Sequence, residues 1–358
     1  MKILKYKPKA STPKVLTALL ATAVVVLTAL FSAGCNQDGV GIYYAISQEE
    51  KQISSKISEL RVKQVVEANS GKVYALTGNT VWEQSGSNWN DIGRGYGIVS
   101  DGSNELYVFN YDFDSTSGTV KSWDTTAWTT GIYTTNADAD LFNIDNAYVL
   151  EIGGGGTNTE IRTTDTTFSP NPAEGFTDDV FDGTQLTDHY LISEDNIYKG
   201  TLGFLDDVAV VEGTSIAFSG QAKSGTFRSI TNDGSNLFLV TSSGQVYSGT
   251  DGTDWTYIDS TGDEAVQGST AIVNIDGTDY LLIGTDDGYY EMEIGSGSVT
   301  KPNLTIDTVT SDSFAATYPE LSNALVFDIY ASSNPNVFYL ATENGLWKRT
   351  SAGEFERQ

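Results

Sequence analysis

Two short apolar strands joined by a polar turn recur seven times in this 358-residue chain, and this repeat constrains the fold more than any other feature. Two copies match almost residue for residue, SDGSNELYV at 100–108 and NDGSNLFLV at 232–240. In both copies an Asp-Gly pair separates apolar runs, and the glycine accepts the positive φ that a tight hairpin turn requires. The repeated unit is therefore a β-hairpin.

The copies are spaced like the blades of a propeller. Neighbouring anchor positions lie 33 to 57 residues apart, with a mean of 44, which is close to one four-stranded blade. Segments such as VYALT and LFLVT are apolar on both faces, so both faces must be covered. The seven anchors are Tyr74, Tyr107, Tyr148, Tyr190, Phe238, Leu281 and Phe338.

The repeat predicts an all-β domain at residues 61–358, a seven-bladed β-propeller of four-stranded antiparallel blades. An eight-bladed ring and a pair of β-sandwiches are the alternatives. The first and last units can each supply four strands. We therefore expect the ring to close by packing of the first blade against the last, without a strand borrowed from the other terminus.

Several units carry a further strand signal after a loop, at 89–92, 128–133 and 255–258. The segments WEQSGSNW at 82–89 and SGTDGTDW at 248–255 share Gly and Trp at equal offsets. The second segment resembles the Asp-box of sialidase-like propellers, S-x-D-x-G-x-T-W. Ser248, Gly252 and Trp255 match, and the aspartate stands one place late at Asp251. The resemblance implies the propeller fold and no activity.

Residues 1–34 have the features of an export signal. Five lysines and no acidic residue precede an apolar run at 15–31, and small residues lead from there to Cys35, the only cysteine. This arrangement resembles the lipobox of bacterial lipoproteins in a relaxed, spirochaete-type form, because Ser32 stands where leucine is usual. The resemblance implies cleavage before Cys35 and attachment of lipid to its sulfur. An ordinary secretory signal and a transmembrane anchor are the alternatives.

Residues 35–60 are predicted to be a tether with one short helix, since isoleucines recur at helical spacing in 46–59 behind a capping box of Ser47 and Glu50. Asn36 follows the cysteine, and in the familiar sorting rule only aspartate at that place retains a lipoprotein on the inner membrane. The prediction is therefore a lipid-anchored protein of the bacterial cell envelope, on the outer membrane. Exposure to the periplasm or to the medium stays open.

The charge excludes nucleic acid as a partner. The chain carries −27, and removal of the leader lysines makes the rest more negative still. Binding to phosphate backbones requires clustered lysine and arginine.

No catalytic site is predicted. His189 is the only histidine, and neither a nucleophile elbow nor a zinc motif is present. A sialidase would need three arginines to clamp a carboxylate, and its F-R-I-P strand has only a partial counterpart at 227–230. The arginines that remain after Arg61 are Arg94, Arg162, Arg228, Arg349 and Arg357.

Calcium is the one candidate cofactor, because hard oxygen ligands cluster at three places. None of them has a complete loop signature, and turn formation by Asp and Asn explains them as well. The clusters are Asn136-Asp138-Asp140, Asp251-Asp254 and Asp286-Asp287.

Two functions remain. The first is a lipid-anchored, non-catalytic scaffold whose propeller binds a protein or glycan partner, with contacts from Tyr111, Phe113 and Phe204 in long loops at 110–120, 153–175 and 201–226. The second is a cell-surface carbohydrate-active enzyme or sugar-binding module. The second function requires paired carboxylates in a central pocket.

Overall fold

A computed structural model describes residues 57–100, 105–129, 133–135, 140–144, 147–152, 160–162, 181–201, 204–206, 217–262, 264–304 and 318–358. Within them, side chains are described except at 133–135, 140, 142–144, 147–152, 160–162, 200–201 and 204–206. The export signal, Cys35 and the predicted helix up to residue 56 lie outside the described residues. The strands belong to one unit, Ser55–Gln358.

Consecutive strands pair side by side in the first three sheets. The first sheet contains β1 (Val62–Ala68), β2 (Lys72–Thr77), β3 (Thr80–Ser85) and β4 (Asn88–Arg94). The second contains β5 (Gly97–Ser100), β6 (Leu106–Asp112), β7 (Ser117–Trp123) and β8 (Tyr133–Thr135). The third contains β9 (Asp140–Ile144), β10 (Ala147–Ile152) and β11 (Glu160–Arg162).

Four more sheets follow. The fourth contains β12 (Asp182–Gln185), β13 (His189–Ile192), β14 (Ile197–Thr201) and β15 (Phe204–Asp206). The fifth contains β16 (Ala217–Ser219), β17 (Phe227–Asn232), β18 (Leu237–Thr241), β19 (Gln245–Gly249) and β20 (Asp254–Ser260). The sixth contains β21 (Val266–Ile275), β22 (Thr278–Thr285), β23 (Tyr289–Glu293) and β24 (Val299–Thr300). Helix α1 (Pro319–Ser322) precedes the seventh, with β25 (Val326–Ala331), β26 (Phe338–Thr342), β27 (Gly345–Arg349) and β28 (Phe355–Arg357).

The innermost strands of the sheets form a ring. In order around it, the contacting strands are β1, β5, β9, β12, β17, β21 and β25, and β25 returns to β1. The chain is therefore an all-β propeller, as predicted. Six sheets are complete blades of four or five strands, against the seven predicted, because the third sheet has three strands in the described residues.

The burial of the second strand in each blade explains why the blades pack into a ring. All five residues of β18 and of β26 are buried, so neither face of these strands meets water. The hydrophobic clusters lie between sheets: Val65 of the first blade packs in one cluster with Tyr339 of the seventh. Burial of both faces of each sheet is the main favourable term for such a fold, and it requires neighbours on both sides.

The predicted Asp-Gly turn is present where it is described. Oδ1 of Asp233 accepts hydrogen bonds from the backbone N–H groups of Ser235 (2.8 Å) and Asn236 (2.6 Å). Gly234 has a φ of 84°, a conformation that favours glycine. The matching turn at 101–104 lies outside the described residues.

The ring closes as predicted. In the described residues β1 pairs with β2 alone and β28 pairs with β27 alone, so the first and last blades remain separate sheets. Ile57 and Val62 pack against Val337 and Leu346 across the junction. Blade packing therefore closes the ring without an exchanged strand.

Three details differ from the predictions. The fifth blade has an added outer strand, because β16 pairs in parallel with β20. The strand expected at 128–133 is instead β8, since Trp128 donates its indole N–H to the carbonyl of Ile92 (2.8 Å) and is thereby held against the first blade. Residues 110–120 form a tight hairpin between β6 and β7 and not a long loop.

Candidate functional site: the central cavity and the entry face

We call one side of the propeller the entry face. In a four-stranded antiparallel sheet the fourth strand ends at the same end of the sheet at which the first strand begins. The next blade therefore begins on the same face of the propeller. The first strands therefore begin at a common face, and the turns between the second and third strands lie there too.

Two of the predicted contact residues meet on this face. The ring of Tyr111, near the end of β6, lies 4.9 Å from the ring of Phe113 in the following turn. Tyr96, which directly precedes β5, lies 5.7 Å from Phe113. Phe113 is 65 % exposed and is the exposed large hydrophobic residue of the described chain. The three rings form a small aromatic cluster at the surface, and aromatic side chains are enriched in protein interfaces.

The other predicted site residues are not brought together with this pair. Phe204 begins β15 and so lies in a strand, where a loop was expected. Its side chain lies outside the described residues. Cys35 and most of the predicted loop at 153–175 lie outside the described residues as well.

A cavity of about 700 Å³ occupies the centre of the ring. It is lined by the inner strands of six blades, β1, β5, β12, β17, β21 and β25. Its charged lining residues are the cations Arg61, Lys63 and Arg228 and the acids Asp182 and Asp328. The three cations stand at or just before the beginning of β1 and β17, and the two acids stand near the beginning of β12 and β25, so charges of both signs lie toward the entry face.

Irregular strand register places three of the lining side chains. Pairing shifts between Val62 and Gln64 in β1, between Phe227 and Ser229 in β17 and between Val326 and Asp328 in β25. Each shift leaves one extra residue, and that residue lines the cavity. The extra residues are Lys63, Arg228 and Phe327.

A repeated hydrogen bond, which we call the junction bond, links neighbouring inner strands. In each case a polar side chain of one blade accepts from a backbone N–H of the next, which satisfies a group on an otherwise free strand edge. The N–H donors and acceptors are Ile98 to Gln64 (3.0 Å), Ile230 to Asp182 (3.0 Å), Thr270 to Ser229 (3.1 Å), Ile329 to Ser269 (3.0 Å) and Val65 to Asp328 (2.9 Å). Five of the junctions around the ring are fixed in this way within the described residues.

The second blade departs from this pattern. Gly97 occupies the position before Ile98, where the other blades carry the acceptor. A Cβ at Gly97 would lie 3.0 Å from the Cβ of Leu141 in the third blade. Close packing therefore replaces the junction bond between these two blades.

The two acids that line the cavity, Asp182 and Asp328, link the inner strands of neighbouring blades by hydrogen bonds. Asp182 accepts from the hydroxyl of Ser229 (2.6 Å) as well as from Ile230, and Asp328 accepts from the hydroxyl of Ser269 as well as from Val65. Burial, with a smaller contribution from the charge of Asp328, raises the pKa of Asp182 to about 6. Burial also raises the pKa of Asp328. Both carboxylates therefore act as structural acceptors on the inner ring.

Sequence reasoning missed the inner-strand residues, although a signal was present. The runs Val62-Lys63-Gln64-Val65, Phe227-Arg228-Ser229-Ile230 and Val326-Phe327-Asp328-Ile329 share one pattern: apolar, variable, hydrogen-bond acceptor, apolar. Each run begins an inner strand. When the repeats are aligned on their more hydrophobic second strands, this pattern in the first strands is not apparent.

Among the described calcium candidates, Asp251, Asp286 and Asp287 lie in turns, whereas Asp140 begins β9 and Asp254 begins β20. Asp251 accepts from the backbone N–H (3.0 Å) and hydroxyl (2.7 Å) of Thr253, and Asp287 forms an ion pair with Lys301 (2.6 Å). Asn136 and Asp138 lie outside the described residues. In the part of the chain that is described, no group of three or more His, Cys, Asp or Glu side chains could hold a metal ion.

His189 begins β13 and is half-buried, and it is not among the residues that line the cavity. In the described ranges no helix has the length and apolar character needed to cross a membrane.

Solved structures share the propeller fold with this chain. The WD40 β-propeller domain of Doa1 is 14% identical with a TM-score of 0.55, and the match covers 85% of this chain and 95% of that one. The extracellular domain of a one-component system from B. thetaiotaomicron is 14% identical with a TM-score of 0.53, over 84% of this chain and 39% of that one. PorZ, a surface component of the type-IX secretion system of Porphyromonas gingivalis, is 13% identical with a TM-score of 0.50, over 85% and 38%.

The chain thus spans about two fifths of the length of these two bacterial structures. No protein-family model matches the chain. No curated protein matches it either.

Proposed function

We propose that the chain is an exported bacterial lipoprotein, held on the outer membrane by lipid on Cys35, whose propeller is a non-catalytic binding or assembly scaffold. The observation that carries the binding role is the entry face, on which the exposed Phe113 lies and toward which the charged groups of the central cavity stand. The partner is a protein or a glycan of the cell envelope. The chain's net charge of −27 argues against nucleic acid as a partner.

Two further observations support the proposal. Bacterial proteins with this fold include an extracellular domain and a secretion-system surface component, which agrees with a place in the envelope by analogy of fold. In the cavity, Asp182 and Asp328 already accept several hydrogen bonds from the frame. Carboxylates used in this way are poorly placed to act as the acid and nucleophile of a glycosidase, which favours binding over catalysis.

Photo-cross-linking in intact cells tests the proposal. The full chain carries the photoreactive residue benzoylphenylalanine at position 113, and we expect a discrete adduct with one partner in the membrane fraction. The matched control carries the same residue at position 279, because Asp279 is exposed next to the turn between β21 and β22, which lies on the opposite face. Equal adducts at both positions, or none at 113, would contradict a scaffold that uses the entry face.

The same cells report on the anchor. Wild-type chain is expected to incorporate a palmitate analogue and to sediment with membranes, and Cys35→Ala is expected to lose both properties because no other cysteine is present. A soluble, unlabelled wild-type chain would indicate an ordinary secretory signal. Retention of the Cys35→Ala variant in membranes would indicate a transmembrane anchor.

A further inference from the structure

Three cations that have no ion pair in the described residues line the central cavity of a strongly acidic protein. Among the described residues, Arg61, Lys63 and Arg228 form no ion pair, whereas Lys72, Lys199, Lys223, Lys301 and Arg357 each pair with a carboxylate. The chain carries 47 acidic residues against 20 lysines and arginines. Arg94, Lys121, Lys348 and Arg349 are also without an ion pair in the described residues, but of these seven cations only Arg61, Lys63 and Arg228 line the central cavity.

Arg228 has a donor that the protein itself does not satisfy. Its side chain is half-buried, and its Nε is buried without a hydrogen-bond partner in the structure. A buried N–H without an acceptor has a free-energy cost, which is larger when the group is charged. The same side chain lines the cavity, so a small rotation of the guanidinium would bring this N–H to an acceptor oxygen there.

The guanidinium of Arg61 packs on the aromatic ring of Phe327 in the neighbouring blade. Its guanidinium carbon lies 4.2 Å from the centre of the Phe327 ring, so the flat group packs on an aromatic surface. Stacking leaves the N–H groups at the edge of the guanidinium available for a carboxylate or phosphate. Phe327 and Phe181 also give the cavity apolar walls.

The carboxylates in the cavity do not neutralise these cations. Neither Asp182 nor Asp328 lies within ion-pair distance of Arg61, Lys63 or Arg228, and both bind the inner strands instead. The cavity therefore holds three positive and two negative groups, all near the ends of the inner strands that begin at the entry face.

We propose that the central cavity binds a small organic anion, a carboxylate or phosphate compound, through Arg61, Lys63 and Arg228, with its carbon skeleton against Phe181 and Phe327. The volume of about 700 Å³ is in the range of small-ligand sites. The inference rests on the proposed binding role and names the ligand class. The extra residue of each irregular strand is fixed by a junction bond at the next residue, so two of the ligand-binding cations are held in position before a ligand arrives.

Protonation of the cavity acids favours the anion. The titratable and charged groups that line the cavity are Arg61, Lys63, Arg228, Asp182, Asp328 and Tyr330. Because the pKa of Asp182 is raised to about 6, lowering the pH from 7.5 to 5 removes a negative charge from the cavity. We expect the affinity for D-glucuronate, whose carboxylate stays ionised over this interval, to rise about threefold or more, and Asp182→Asn to reduce the dependence.

Isothermal titration of the detergent-solubilised full chain tests the site at low ionic strength, where charge interactions are least screened. The probes are citrate, inorganic phosphate and D-glucuronate, and glucose is the neutral comparison. We expect saturable binding of at least one anion with a dissociation constant below about 1 mM, and none of glucose. Arg228→Gln and Lys63→Gln are each expected to weaken that binding about tenfold, the loss of one charge-assisted contact.

The controls remove equivalent cations outside the cavity. Arg94→Gln and Lys121→Gln are expected to leave the affinity unchanged, since neither residue lines the cavity. Arg228→Gln could weaken binding by destabilising the fold, which a lower melting temperature would show. Lys63→Gln then tests the site by itself, because Lys63 is exposed and forms no ion pair in the described residues, so its replacement should leave the fold intact.

Absence of saturable binding of all three anions up to about 10 mM, or equal losses in cavity and control variants, would overturn the inference. Cross-linking at position 113 can succeed in that event. The scaffold proposal and the anion site therefore fail separately.

Discussion

Asp328→Ala is expected to lower the free energy of unfolding by about 3 kcal/mol. Asp328 joins three blades, because its carboxylate accepts from Val65 N–H in the first blade and from the Ser269 hydroxyl in the sixth. Alanine leaves the Val65 N–H without an acceptor at the junction that closes the ring. Chemical denaturation at pH 7.5, followed by tryptophan fluorescence, measures the change.

Two variants make this test specific. Asp328→Asn keeps one acceptor oxygen, so we expect a loss of about half that size. Asp254→Ala removes an exposed aspartate from β20 and is expected to change stability by less than about 0.5 kcal/mol. If Asp328→Ala costs no more than Asp254→Ala, the closing junction does not depend on this carboxylate.

Trp255→Ala is expected to have the largest effect on stability, about 4 kcal/mol. Trp255 is 1% exposed and packs in one cluster with Tyr190 of the fourth blade and Tyr247 of the fifth. Its indole N–H also donates to the carbonyl of Gly252 (3.1 Å). The substitution leaves a large cavity between two blades and removes this hydrogen bond.

The same denaturation measurement tests this prediction, with circular dichroism as the probe. Trp255→Phe retains most of the apolar surface and is expected to lose about 2 kcal/mol. Trp128→Ala is the matched control, since this tryptophan is only half-buried and lies against the rim of the first blade. A cost for Trp255→Ala below that for Trp128→Ala would show that the Asp-box-like tryptophan is not a core residue.

The second strands of the blades could be predicted because their signal is local. Tyr74, Tyr190 and Phe338 stand in runs that are apolar on both faces, and such runs are buried wherever the sheets pack. The turn at Asp233 was predictable for the same reason, since its hydrogen bonds stay within four residues. The propeller class follows from these two features, and the closure without an exchanged strand follows from the four strands that the first and last units can each supply.

The site could not be predicted in this way because its members are distant in sequence. Lys63 and Arg228 lie 165 positions apart, and only the ring brings them to one cavity. Their orientation depends on register shifts in the inner strands, which arise from pairing with the second strand. Trp128 was misplaced for a related reason: its hydrogen bond to Ile92 belongs to a different blade.

The inner strands combine structure and binding. In β1, β17 and β25 the residue that faces the cavity directly precedes the acceptor of a junction bond, as with Lys63 and Gln64. Rigid support at the next residue limits the conformational freedom that a ligand would otherwise have to remove. Weakening a junction bond should therefore affect both the stability of the ring and the affinity of the cavity.

Hydrogen exchange at the junction amides tests the closed ring most directly. Each of these N–H groups lies on the free edge of an inner strand and is protected only if the neighbouring blade supplies its acceptor. The account predicts that these amides exchange as slowly as the buried amides of β2 and β26, through global unfolding. Exchange within minutes, as at the exposed turn around Thr116, would contradict a ring closed blade against blade. The amides to follow are those of Val65, Ile98, Ile230, Thr270 and Ile329.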